Sequence, residues 1–161
     1  MYKIGFGFDA HKFSEGRKLV LGGLEIPFGL GLSGHSDADV LTHAICDALL
    51  GALGEGDIGS LFPDSDPRYK GVSSLSFLSE ILRMLNREGY EVENVDSVIV
   101  CEKPRIAPHV QAIKDSLSQI MGLPGNRIGV KATTTDRMGF TGRGEGIAAY
   151  AIALIKSTSF T

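Results

Sequence analysis

The chain predicts an α+β fold: a single-domain sandwich in which a mixed β-sheet is covered by helices. Asp37–Leu53 repeats apolar side chains at helical spacing, whereas residues 2–13 and Ile147–Ile155 have strand character. Such segments interleave along the chain with no internal repeat or linker-like run. At 161 residues, the length suits one core, so residues 1–161 are taken as one domain.

Residues 2–13 and 18–28 are expected strands, the second broken at Gly22-Gly23 by a hairpin-like turn. In Asp37–Leu53 the apolar stripe is Val40, Leu41, Ala44, Ile45, Ala48, Leu49, Ala52 and Leu53, with Ser36 as N-cap and Gly54 as stop. Gly54–Gly71 is an acid- and glycine-rich loop, of a length that is usually functional or mobile. Ser73–Gly89 is a second amphipathic helix and Val95–Lys103 a strand. Pro108–Met121 reads as a third helix with proline in its first turn. Asn126–Thr135 is a strand leading into the glycine-rich loop Asp136–Gly146. In the last run Tyr150, Ile152 and Leu154 share one face and Ala149, Ala151 and Ala153 the other. That predicts a strand buried on both faces, with a helix as the rival reading.

Apolar residues make up 43% and charged residues 22%, and the net charge is −3. No general basic field exists to hold nucleic acid or an anionic membrane. A phosphorylated ligand would need local cations such as Lys103, Arg105, Lys131, Arg137 or Arg143, or a metal. Cys46 and Cys101 lack metal-ligand spacing and read as buried free thiols of a reducing compartment. The start lacks a signal core, and no apolar run approaches the roughly 20 residues of a membrane helix, so a cytoplasmic location is expected.

The stretch GFGFDAHKF matches a loose dinucleotide-binding pattern through Gly5, Gly7 and Ala10, but HKFSEGRK (His11–Lys18) has no apolar helical period, so the context fails. Asp9 and His11 lie two apart and share one face of a strand. His43 sits between Asp39 and Asp47 at i±4, either of which could orient its ring. Together Asp9, His11 and His43 would make a two-histidine, one-carboxylate centre with an open position, as in catalytic zinc sites. The plainer alternatives are a surface Asp-x-His pair and a solvated helix histidine. His35–Asp37 reads equally well as capping and first-turn acids. Asp57, Asp64 and Asp66 are turn formers or holders of hydroxyls and cations. Lys131–Asp136 offers hydroxyls and an acid at a strand end, suited to phosphate and a divalent ion, although threonine is also simply a good strand residue.

Assembled, the segments GFGFDAHKF, LGGLEIP, GHSDADVLTHAICDALLGALGEGDIGSLFPDSDPRYKG, KATTTD and MGFTGRGEGIA resemble the 2-C-methyl-D-erythritol 2,4-cyclodiphosphate synthases of the non-mevalonate isoprenoid pathway. The resemblance runs from Gly5 to Ala148 in order. It implies a homotrimer with active sites between subunits and zinc on Asp9, His11 and His43. The implied reaction is closure of a cytidine diphosphate-linked substrate to a cyclic diphosphate with loss of CMP. It implies His35 and Thr134 as transition-state stabilisers. Asp9, His11, His35, Ser36, Asp57, Gly59, Phe62, Pro63, Asp64, Ser65, Asp66, Phe140 and Arg143 would contact substrate. Cys101, Glu102, Lys103, Pro104, Arg105 and Ile106, with Thr133, Thr134, Thr135 and Asp136, would form the cytidine pocket. Asp136, where the family often has glutamate, would hold a second cation, Mg²⁺ or Mn²⁺. A zinc-dependent phosphohydrolase and a non-enzymatic nucleotide-binding module are the rival readings.

Overall fold

The computed structural model describes residues 1–158. In chain order its elements are β1 (Tyr2–Ser14), β2 (Leu19–Leu21), β3 (Leu24–Ile26), β4 (Gly31–Leu32), α1 (Val40–Leu53), α2 (Ile58–Leu61), α3 (Ser74–Arg87), β5 (Tyr90–Val100), α4 (Val110–Met121), β6 (Ile128–Thr133), α5 (Gly139–Gly142) and β7 (Gly146–Ser157). Five strands form one sheet in the order β4-β1-β7-β5-β6, and β2 and β3 make a separate hairpin. β7 runs antiparallel to both β1 and β5, while β5 and β6 are parallel, so the sheet is mixed as expected.

One constraint sets the middle of the molecule. Alternation along β1 turns Gly5, Gly7, Asp9 and His11 toward the same side. A Cβ at Gly5 would lie 1.8 Å from the Ala48 carbonyl oxygen, and one at Gly7 would lie 1.9 Å from that of Ala44. The backbone of α1 therefore rests directly on the backbone of β1. Beside them, Ala153, Ala151 and Ala149 of β7 pair with Gly5, Gly7 and Asp9 and keep the same surface low. The larger core side chains, including Leu41, Ile45 and Leu49, fill the space beyond α1, toward α3, α4 and the β2–β3 hairpin.

Helix α1 starts three residues later than expected from a cap at Ser36, because Asp39 is the cap. Its fully buried carboxylate accepts from Thr42 N at 3.0 Å and Thr42 Oγ1 at 2.7 Å. It also accepts from Gly22 N at 2.9 Å and Gly23 N at 2.7 Å, tying the helix to the β2–β3 turn. A two-oxygen acceptor can serve both elements where a serine hydroxyl cannot. Gly54 ends the helix with φ 86°, as expected.

Other boundaries also moved. The loop Gly54–Gly71 contains α2 and a 3₁₀ turn at Pro67–Tyr69. β5 begins at Tyr90 and ends at Val100, leaving Cys101 and Lys103 beyond the strand. A 3₁₀ turn, Ala107–His109, precedes α4. β6 ends at Thr133, and α5 occupies part of the loop beyond it. Cys46 and Cys101 are buried free thiols.

The larger correction concerns β7 and the covering of the sheet. Ala149, Ala151 and Ala153 are buried beneath α1, yet Tyr150 and Ile152 are 40% and 45% exposed. Ile4, Phe6 and Phe8 of β1 lie beside them, 69%, 61% and 45% exposed. The three long helices contact one another or the sheet, and among the described residues no helix covers the face that carries Tyr150 and Ile152. Among the described residues no helix is long and apolar enough to cross a membrane.

Gly7→Ala should destabilise the protein by more than about 3 kcal/mol or abolish folding, since the clash is with helix backbone and no rotamer relieves it. Gly29→Ala, where an added Cβ meets nothing within 4 Å, should stay within about 0.5 kcal/mol of the parent. Urea denaturation of both variants checks the contrast.

Candidate metal centre

Asp9 and His11 leave the edge of the β1 surface just past the glycines, and His43 comes down from the first turn of α1. Asp9 Oδ2 lies 2.8 Å from His11 Nε2 and 3.0 Å from His43 Nδ1. The two imidazole nitrogens are 3.1 Å apart. Ligands at zinc's usual bond lengths in a tetrahedron are spaced about 3.3 Å, so this triangle needs little adjustment to close on a small cation.

The second nitrogen of each ring is also engaged. His11 Nδ1 is 2.7 Å from the Ser33 carbonyl, which can only accept, so this nitrogen carries hydrogen and Nε2 is the one turned to the centre. His43 Nε2 lies 2.8 Å from Ser74 Oγ and 3.2 Å from Ser36 Oγ. Burial raises the Asp9 carboxyl, but hydrogen bonds and attraction from His11 and His43 outweigh it and hold the pKa at about 2. Burial works to lower His11; its bond and attraction to Asp9, with help from the Ser33 carbonyl and Asp64, prevail and raise it. Convergent acceptors around one point require a positive charge among them, a proton or a metal ion. The donor set fits a metal ion of the zinc type.

The centre opens into a cleft. His35, Ser36, Gly59, Phe62 and Asp64 line it together with the triad, joined by Ile58, Tyr69 and Phe77. Phe62 stacks on Phe77 with centroids 4.5 Å apart. His35 Nε2 donates to the Asp66 carbonyl at 2.9 Å. Asp57 and Asp66 spend their carboxylates locally: Asp57 caps α2 through Ser60 N at 2.8 Å, and Asp66 pairs with Arg68 at 2.6 Å. Pro63 and Ser65 belong to the same loop and do not line the cleft.

A second cleft lies between Cys101, Glu102, Pro104, Arg105 and Ile106 on one side and Ala132, Thr133 and Thr134 on the other. Lys103 is exposed outside its lining. Thr135 Oγ1 donates to the Met138 carbonyl at 2.5 Å. Asp136 and Arg137 are both left-handed, at φ 51° and 65°, and aspartate is among the non-glycine residues that accept this backbone. Glu102 Oε1 receives Thr135 N at 3.3 Å and Arg137 N at 3.1 Å, bracketing them. Phe140 lines a further hollow with Ala10, His11 and Lys12, while Arg143 pairs with Glu145 at 3.1 Å. The metal cleft and this second cleft share no lining residue, and neither Thr134 nor Asp136 lines the metal cleft.

The model of the YgbB family matches residues 2–156. The chain belongs to the YgbB family. It is 51% identical over 154 residues to the 2-C-methyl-D-erythritol 2,4-cyclodiphosphate synthase of Syntrophus aciditrophicus, covering 96% of this chain and 97% of that protein. Among solved structures, a 2C-methyl-D-erythritol-2,4-cyclodiphosphate synthase in its CDP-bound form is 42% identical with a TM-score of 0.88, covering 96% of this chain and all (100%) of the other. The bifunctional IspDF of Campylobacter jejuni is 39% identical with a TM-score of 0.94; 98% of this chain matches 42% of that longer one.

In this YgbB-family chain neither Asp39 nor Asp47 orients His43. Asp39 precedes the first helical turn and serves as its cap, and Asp47 accepts from Ile58 N at 2.8 Å. The ring is held instead by Ser74 and Ser36, and behind Ser74 by Asp37. Ser74, 31 residues away, looked in the sequence like any serine opening a helix.

Purified protein should bind about one Zn²⁺ per chain by elemental analysis, and Asp9→Ala or His43→Ala should lose most of it while far-UV circular dichroism is retained. Because the raised His11 keeps its proton above the ordinary imidazole range, Zn²⁺ must displace that proton. Affinity should therefore fall as pH drops through neutrality, as read by titration against a chelator.

Proposed function

We propose that this protein converts 4-diphosphocytidyl-2-C-methyl-D-erythritol 2-phosphate into 2-C-methyl-D-erythritol 2,4-cyclodiphosphate and CMP. It is thus a phosphorus–oxygen lyase that uses zinc, with Mg²⁺ or Mn²⁺ as second cation. The observation that carries the reading is the Asp9–His11–His43 cluster, set at the mouth of a cleft in a chain about half identical to synthases of that name over nearly its full length. A 2-phosphate oxygen bonds to the β-phosphorus while the bond from that phosphorus to the bridging oxygen breaks, and CMP leaves with that oxygen.

Nucleophile and leaving group are tethered in one molecule, so the protein's contribution is to fold that molecule for in-line attack and to spread charge. Zinc, when bound on Asp9, His11 and His43, supplies Lewis acidity to phosphate oxygens. Phe62 and the backbone around Gly59 and Asp64 shape the part of the cleft that would hold the methylerythritol unit. His35 already gives its Nε2 hydrogen to Asp66. To donate to a phosphate oxygen it must also carry hydrogen on Nδ1, so the imidazolium form would stabilise the transition state. The cleft of Cys101–Ile106 and Thr133–Thr134 suits a cytosine and ribose recognised through backbone groups, with Thr134 toward the phosphates and Asp136 on the second cation.

Two observations support a homotrimer with shared sites. The metal cleft and the proposed cytidine cleft are separate within one chain. The open face of β1 and β7 is an apolar patch built from Ile4, Phe6, Phe8, Tyr150 and Ile152, and exposed apolar side chains grouped in this way mark interaction surfaces. A location in the cytoplasm fits the free buried thiols.

Incubated with substrate and Mg²⁺, the protein should yield CMP and a cyclic diphosphate by mass spectrometry. A linear phosphate would make it a hydrolase, and unchanged substrate would make it a binding module. Light scattering at micromolar concentration should give three times the chain mass; a monomer mass would remove the shared site.

A further inference from the structure

Ser74 opens α3 and is fully buried, and its hydroxyl stands between two groups. On one side Asp37 accepts the hydroxyl hydrogen through Oδ1, and its Oδ2 accepts Ser74 N at 3.0 Å. On the other side lies His43 Nε2 at 2.8 Å. We propose that Ser74 is a positioning residue: with its hydrogen drawn to Asp37, it can only accept from His43, which fixes the hydrogen on Nε2 and leaves the Nδ1 lone pair facing Asp9 and His11.

The tautomer is not settled by the centre itself. Asp9 Oδ2, 3.0 Å from His43 Nδ1, would accept a hydrogen from that nitrogen and so favours the form that cannot ligate. In that form Nε2 would carry a lone pair and face the Ser74 oxygen at 2.8 Å with no hydrogen between them. Ser74 has no exposed surface through which water could relieve the conflict. Turning the hydroxyl toward His43 would strip Asp37 of that hydrogen. A carboxylate is an acceptor only, so it cannot reverse the direction of the chain. Ser36 is the weaker neighbour: its Oγ receives Ala38 N at 3.2 Å and could give its own hydrogen to His43 Nε2 only at the longer reach of 3.2 Å, which would still leave the closer Ser74 oxygen facing that nitrogen with no hydrogen between them. The order of donation is therefore His43 to Ser74 to Asp37, and α3, through its first residue, sets the ligating atom on α1.

This inference rests on the metal-centre reading, and two measurements separate them. The first is the imidazole ¹⁵N spectrum of the cation-free full chain at a pH where the histidines are neutral. Wild-type His43 should be protonated on Nε2, and Ser74→Ala should move it substantially toward Nδ1. The second is Zn²⁺ affinity by competition with a chromophoric chelator: Ser74→Ala should weaken binding roughly 10- to 100-fold, Ser36→Ala less. Asp37→Asn, whose amide can donate to Ser74, should shift the tautomer in the same direction and covers the case in which Ser74→Ala folds poorly. Wild-type His43 protonated on Nδ1, or folded Ser74→Ala and Asp37→Asn proteins with unchanged tautomer, would overturn the proposal. Wild-type protein that binds no Zn²⁺ but shows the expected tautomer would sink the metal-centre reading alone.

Discussion

The site depends on how closely one helix lies on one strand. At Gly5 and Gly7 there is no room for a Cβ, and the Ala44 and Ala48 carbonyls of α1 sit where it would be. Further along the same face are Asp9 and His11, and one residue before Ala44 is His43. The carboxylate and the imidazoles come within 3.1 Å because the backbones that carry them are already in contact. Larger residues at positions 5 and 7 would lift α1 away and separate the ligands along with the core. Packing and chemistry here are a single constraint. A site supported this way, on strand and helix rather than on loops, has little freedom to spread.

Around that contact the polar groups are arranged in depth. Asp39 occupies the helix N-terminus and the β2–β3 turn, with every donor it receives buried or half-buried. Ser33 holds one ring by its backbone carbonyl and Ser74 holds the other by its hydroxyl. The carboxylate of Asp9 and one nitrogen from each ring are then left pointing at one place, where only a proton or a metal ion can sit among them.

The strand period was enough to put Asp9 and His11 on one face, and the helical period placed His43 beside an apolar stripe; both readings need only neighbours in sequence. What was not legible depended on partners far along the chain. Asp39 is the cap because the Gly22 and Gly23 amides need an acceptor, which no local pattern around Ser36 reveals. Ser74 reaches His43 only because α3 is docked against α1. The alternation of Tyr150 and Ile152 with alanines was correctly read as two apolar faces, but hydrophobicity alone could not say that one of them is bare within the chain. Thr134 and Asp136 were expected to act on the transition state and on a second cation; within one chain Thr134 lines a cleft separate from that of the metal centre, and Asp136 lines neither.

The order of the strands carries a consequence for biosynthesis. β7, which is made after every other described strand, is the middle strand of the sheet, with β1 on one side and β5 on the other. β1 thus waits until residues 146–157 are made before it finds its main partner. During that interval Phe6 and Phe8, and the glycine face meant for α1, have no sheet to belong to. Contacts of such sequence separation close late and slowly, and the nascent chain meanwhile presents an unpaired apolar edge. The segment Gly146–Ser157 therefore acts as a commitment step, and a protein truncated before residue 146 lacks the centre of its sheet rather than a dispensable tail.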